Sequence, residues 1–266
     1  MALVKTPAVA AAGAIAASFI ILLALPGAAS AQWVHYPSPG IPRTADGKPN
    51  LSAPAPRAPD GKPDLSGIWS PDVKYLNNIA ADLKPEEVPF QPWAAAVFKQ
   101  RQENSMKDDP GARCMPPGLP RRDATPFPFK IIVNPGLVLI LYETRNVYRQ
   151  IFTDGRSFPK EILIPSWDGY SIGRWDGDTL VIDTIGFNDQ SWMDNAGHPH
   201  SDAMHLTERF HRRDFGHMDL QITIDDPKAY TKPWTITEHP RLLPDMELME
   251  QVCEENNKDV EHLVGK

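Results

Sequence analysis

Between residues 129 and 238 the chain is cut into short stretches of alternating apolar and polar residues, each closed by Gly, Asn, Asp or Pro. A helix needs apolar residues every three or four positions, so this period of two with frequent turn residues argues for antiparallel strands. The pattern predicts strands at 129–133, 137–143, 147–153, 162–164, 170–175, 179–184, 203–213, 218–225 and 231–238. Asp-Gly readily supplies the positive φ angles of a two-residue hairpin turn. Asp176-Gly177 is therefore expected to close a hairpin in which Tyr170 faces Asp183 and Arg174 faces Thr179. About eight or nine such strands on short turns predict a mainly β fold, an antiparallel β barrel or strongly curved sheet with one or two peripheral helices. The helices are expected at 91–104, where Trp93, Ala94, Val97 and Phe98 recur at helical spacing, and at 245–256.

Residues 1–31 read as a leader. Lys5 precedes an apolar run and Ala29-Ser30-Ala31 offers a small-residue cleavage site, so a signal peptide and a periplasmic or secreted location are expected. Pro26 and Gly27 favour cleavage before Gln32 over retention as an anchor, and no later stretch is apolar enough to span a bilayer. Residues 32–66 form a proline-rich arm in which Asp46-Gly47-Lys48-Pro49-Asn50-Leu51-Ser52 recurs as Asp60-Gly61-Lys62-Pro63-Asp64-Leu65-Ser66. Polyproline-like backbone with an Asp-Gly turn in each copy is expected there, as a tether or laid along the body. Residues 67–266 are long enough for a single β-rich domain. A formal net charge of −7 with no basic run argues against nucleic acid as a partner. In an exported chain the two cysteines, Cys114 and Cys253, are expected to form a disulfide. It would close a loop of about 140 residues, stabilising by about 4 to 5 kcal/mol on the chain-entropy model.

Asp60-Gly61-Lys62-Pro63-Asp64-Leu65-Ser66-Gly67-Ile68-Trp69, Cys114-Met115-Pro116-Pro117-Gly118-Leu119-Pro120, Gly173-Arg174-Trp175-Asp176-Gly177-Asp178-Thr179-Leu180-Val181 and Cys253-Glu254-Glu255-Asn256-Asn257 resemble an abundant family of exported bacterial proteins. That family is usually described as uncharacterised, so the resemblance implies export and brings no activity with it. Separately, Gly67-Ile68-Trp69 at the head of a run of strands is similar to the opening Gly-x-Trp of lipocalin-like barrels. The irregular stretch that follows that strand departs from the lipocalin pattern.

The residues most apt for chemistry lie between Pro165 and Asp226, a stretch crowded with His, Asp, Trp and Arg. Alternation along 204–213 puts Glu208 on the apolar face with Leu206 and Phe210, and His205, Thr207, Arg209 and His211 on the other. A buried carboxylate is either driven toward the pKa of a general acid or base, or paired with an inward arginine such as Arg174 or Arg145. Asp183, Tyr170 and Arg174 would add a second proton-transfer group, a phenol for a developing oxyanion and a cation. With His205, these make the candidate catalytic set Glu208, Asp183, Tyr170, Arg174 and His205.

Trp175, Trp192, Asp194, His198 and His200 are the candidate substrate-binding residues. His198-Pro199-His200 resembles the start of a cupin metal motif, but the spacing beyond it departs, and His205 and Glu208 lie on opposite faces of one strand. No metal and no cofactor are therefore expected, and a His198, His200, His205 metal centre is the alternative. Neither a Gly-rich phosphate loop nor a G-x-S-x-G elbow occurs. These features point to an exported enzyme of the isomerase, lyase or hydratase type, using carboxylate and His acid–base chemistry on a small apolar or aromatic molecule. The alternatives are a non-catalytic lipocalin-like protein that binds an apolar ligand and a metal-assisted hydrolase or lyase.

Overall fold

The structure is a computed structural model that describes residues 37–161 and 164–255. The expected leader and most of the expected 162–164 strand lie outside the described residues. Ten strands build one strongly curled half-barrel. They are β1 (Gly67–Ser70), β2 (Phe129–Asn134), β3 (Leu137–Tyr142), β4 (Val147–Phe152), β5 (Tyr170–Asp176), β6 (Thr179–Ile185), β7 (His205–Arg212), β8 (Met218–Asp225), β9 (Trp234–Glu238) and β10 (Arg241–Leu242). Their order in the sheet is β10-β1-β2-β3-β4-β5-β6-β7-β8-β9. All neighbours are antiparallel except β4 and β5, which meet in parallel over two residue pairs and are joined by a long connection rather than a tight turn.

Alternation decides what each strand buries. Phe129 and Ile131, Val138 and Ile140, Leu180 and Ile182, Leu206 and Phe210, and Leu220, Ile222 and Ile224 all face the concave side and form the core. The β5–β6 register differs from the expected one by one pair on each strand. Asp176 pairs with Thr179, and the two-residue turn is Gly177-Asp178. Gly177 has φ +60, whereas Asp178 is not among the positive-φ residues, so glycine occupies the first turn position, as type II′ turns require. Tyr170 consequently pairs with Ile185, and Asp183 with Ile172.

Helix α1 (Lys74–Asn77) is a single turn, and α2 (Pro92–Glu103) fills the span expected at 91–104, with Pro92 in its first turn. No helix forms at 245–255. There the backbone N–H of Met249 donates to Glu143 Oε2 at 3.0 Å and that of Gln251 to Asn146 Oδ1 at 3.3 Å, so tertiary partners replace helical ones. This irregular segment brings Cys253 to Cys114, and the two form a disulfide with Cα atoms 5.8 Å apart.

The arm lies along the body. Its two repeats fold alike: Arg43 bridges Pro49 and Arg57 bridges Pro63, and Gly47 and Gly61 have φ of +82 and +80. Arg43 reaches Asp245 at 2.6 Å and Arg57 reaches Asp178 at 2.7 Å. Near the end of the first repeat, the N–H groups of Phe215 and Gly216 donate to the carbonyls of Ala53 and Leu51, both at 2.7 Å. Among the described residues no helix is long and apolar enough to cross a membrane.

Candidate functional site

The 186–204 connection between β6 and β7 carries the best-built acid–base group. Asp194 is fully buried and accepts the backbone N–H groups of Ile79 at 2.7 Å, Gly197 at 2.8 Å and His198 at 2.9 Å. The same carboxylate lies 2.6 Å from His198 Nδ1. Carboxylate oxygens accept, so this contact places a proton on Nδ1 and leaves Nε2 as the ring nitrogen turned away from Asp194. The imidazole stacks on Phe90, with centroids 5.4 Å apart and planes at 13°, and packs against Phe98 at 4.4 Å. His198, Phe90, Phe98, Val88, Leu83 and Ala80 help to line an apolar recess of about 120 Å³. A histidine oriented by a buried carboxylate and facing an apolar recess can take up a proton and hold the resulting charge.

Two residues on, His200 has a different partner. Its Nδ1 lies 3.2 Å from the Ser201 carbonyl, which can only accept, so Nε2 accepts the Ser191 hydroxyl at 2.7 Å. Burial lowers the pKa of His200 and favours the neutral ring. Serine and histidine are thus placed as a nucleophile and its base would be, yet Gly118 closes over them. A Cβ at Gly118 would stand 2.6 Å from Ser191 Oγ and 2.9 Å from the Trp167 carbonyl. Ser201 is held in turn by Asp226, to which its N–H donates at 2.6 Å and its hydroxyl at 2.7 Å.

Glu208 faces the interior, as alternation predicts, but its partner is neither Arg174 nor Arg145. Arg149 of β4 donates from Nη1 to Glu208 Oε1 at 2.9 Å and from Nη2 to Oε2, and also reaches Ser171 and Thr184. Burial pulls the Arg149 pKa down, but Glu208 outweighs it and holds the guanidinium charged. Beside this pair, burial and the charge of Glu208 push Asp123 up to about 7, and Tyr142 donates to its Oδ1 at 2.8 Å. Glu238 is also buried. Burial first, then the charge of Asp123, raises its pKa well above the usual range, and its Oε2 has no hydrogen-bond partner among the described residues.

The rest of the expected catalytic set gathers on the outer face. Asp183 accepts from Thr207 Oγ1 at 2.9 Å and from Arg174, and lies 3.1 Å from His205 Nε2. Partial burial pushes its carboxyl up, but the bonds from Arg174 and Thr207 prevail and hold it below the ordinary range. Tyr170 packs on Phe152 and Phe158, and Phe158 also meets His205 edge-on at 6.5 Å. Sheet parity therefore divides the expected set, with Asp183, Arg174 and His205 joined on one face and Glu208 on the other.

Of the two expected tryptophans, Trp192 is buried beneath Arg101, whose guanidinium stands 4.3 Å from the ring centroid, while Trp175 lines a separate recess beside the arm. The alternative metal centre does not assemble. His198, His200 and His205 face Asp194, Ser191 and Asp183 respectively, and no group of three or more His, Cys, Asp or Glu among the described residues could hold a metal ion.

Arg149, Asp123 and the aromatic frame of Phe90 and Phe98 escaped the sequence reading. For Arg149 a signal existed, since it shares its parity with Val147 and Ile151. Asp194 and His198 were both named, but nothing in the sequence pairs them with each other beyond their i, i+4 spacing. Compared with family models, curated proteins and solved structures, the chain matches none.

Proposed function

We propose that the chain is an exported enzyme of the isomerase, lyase or hydratase type that moves a proton on a small, largely apolar molecule. His198 is the proton-transfer group and Asp194 orients it. The observation that carries this reading is the 2.6 Å contact of His198 Nδ1 with a buried carboxylate, made by a ring that lines the recess. At about 120 Å³ the recess approaches the roughly 150 Å³ apolar cavity known to admit benzene, so it suits a single ring or a short carbonyl compound. Proton abstraction by Nε2 would create an imidazolium that Asp194 stabilises, and a positioned base of this kind contributes about 10²- to 10⁴-fold. Export rests on the leader-like N-terminus, and the Cys114–Cys253 disulfide suits an oxidising compartment.

The test is a panel of small cyclic and short-chain ketones, enones and hydroxy acids, assayed with the purified protein and with His198→Gln. Turnover reduced about a hundredfold or more by H198Q, with the fold intact, supports the assignment. Unchanged turnover removes it.

A second reading has its own observation, the Asp183–His205 contact at 3.1 Å beside Phe158 and Tyr170. There the outer face does the chemistry, and Asp183→Asn rather than His198→Gln abolishes turnover. In the non-catalytic alternative the His198 recess holds an apolar ligand unchanged, and H198Q alters affinity alone.

A further inference from the structure

The repeated arm segment has no part in the function proposed above, yet its second copy walls a recess of about 390 Å³ at one end of the half-barrel. Pockets that enclose a drug-sized ligand run from about 300 to 1,000 Å³. Val133 and Val138 line the side toward the core, Pro59 and Pro135 belong to the arm and the β2–β3 turn, and Trp175 and Asp60 complete the lining. None of these residues lines the His198 recess.

The two repeats share a backbone but not an electrostatic state. In the first, Asp46 is neutralised from within: Lys48 lies 2.9 Å from its Oδ2, and Thr44 donates to its Oδ1. In the second, alanine replaces the threonine at position 58, and Lys62 turns away to donate to the Gly177 carbonyl at 3.2 Å. Arg57, the other nearby cation, is bound through two nitrogens to Asp178. Asp60 keeps, among the described residues, only the Lys62 backbone N–H, at 3.1 Å on Oδ1. Among the described residues no cation pairs with Asp60, and none stands over the Trp175 ring.

From these observations we infer that this recess binds a small aromatic amine, its ring against Trp175 and the prolines and its ammonium on Asp60. A carboxylate and an indole attract the same kind of charge, and the apolar lining selects a flat body to carry it. An acidic analogue would be repelled by Asp60.

Calorimetry with three indole probes tests the inference: tryptamine, neutral 3-methylindole and indole-3-propionate. Saturable binding is expected in the order amine, neutral, acid. Asp60→Asn should weaken tryptamine about three- to fivefold and leave 3-methylindole unchanged. Asp46→Asn, the same change in the first repeat, should alter nothing, and Trp175→Leu should weaken both probes. H198Q should leave binding intact, which separates this site from the proposed active site. No saturable tryptamine binding, equal binding of the acid, or indifference to D60N would overturn the inference.

Discussion

Arg149 and Glu208 are both buried in the core as charged groups, and their value depends on each having the other. Removing one partner of such a pair costs about 3 to 5 kcal/mol, whereas exchanging both for apolar residues of similar volume is often neutral or stabilising. Arg149→Met is therefore expected to lower stability by about that amount, and Arg149→Met with Glu208→Leu to recover most of it, measured by urea unfolding. Glu238 differs in that no cation among the described residues pairs with it. Its folded-state pKa is raised above the ordinary 4.5, so its stabilising contribution is full below about pH 4.5 and is lost as pH rises. Asp123 adds a loss over the window from its ordinary 3.8 to about 7. Glu238→Met should accordingly gain about 1 kcal/mol or more at pH 7 and nothing at pH 4. Equal stabilisation at both values would show that ionisation is not the cause.

At the scale of turns and strands, two glycines separate backbone strain from collision. Gly177 has φ +60 with nothing within 4 Å of an added Cβ, so Gly177→Ala should cost only the left-handed penalty of about 1 to 2 kcal/mol. Gly118 has φ +67 and also packs against Ser191 and Trp167, so Gly118→Ala should cost clearly more. Thermal melts of the two variants compare them directly, and equal losses would contradict the close packing. The same elements show what the sequence could convey. The positions of β2 to β9 and the inward face of Glu208 followed from local alternation. The one-pair register difference did not, because both Asp176-Gly177 and Gly177-Asp178 are acceptable turns. Partners across the sheet were equally hidden, since Arg149 meets Glu208 through curvature that no local pattern encodes. The irregular 245–255 segment was misread because N–H groups within it bond to Glu143 and Asn146, more than a hundred residues earlier in the chain.

For the whole molecule, the Cys114–Cys253 bond and the arm should contribute very differently. The disulfide closes a loop spanning 139 residues, and Cys114→Ser with Cys253→Ser is expected to lower stability by about 4 to 5 kcal/mol. The arm's arginines form exposed pairs worth up to about 1 kcal/mol each, so Arg43→Ala with Arg57→Ala should shift unfolding only slightly. A large loss in that double variant would show that the arm carries stability through its charges rather than through the backbone bonds at Leu51 and Ala53.

The sheet order also has a consequence for how the chain matures. Strand β1 lies between β2 and β10, so among the described residues the first strand is completed by the last, and Leu243 N–H donates to the Ile68 carbonyl at 2.8 Å. Contacts between the two ends of a chain form slowly. Until the C-terminal segment arrives, one side of β1 offers bare N–H and C=O groups to any neighbouring chain. A nascent or truncated copy ending before Arg241 should therefore self-associate where the full chain does not, so Arg241 and Leu242 act as the sheet's own safeguard.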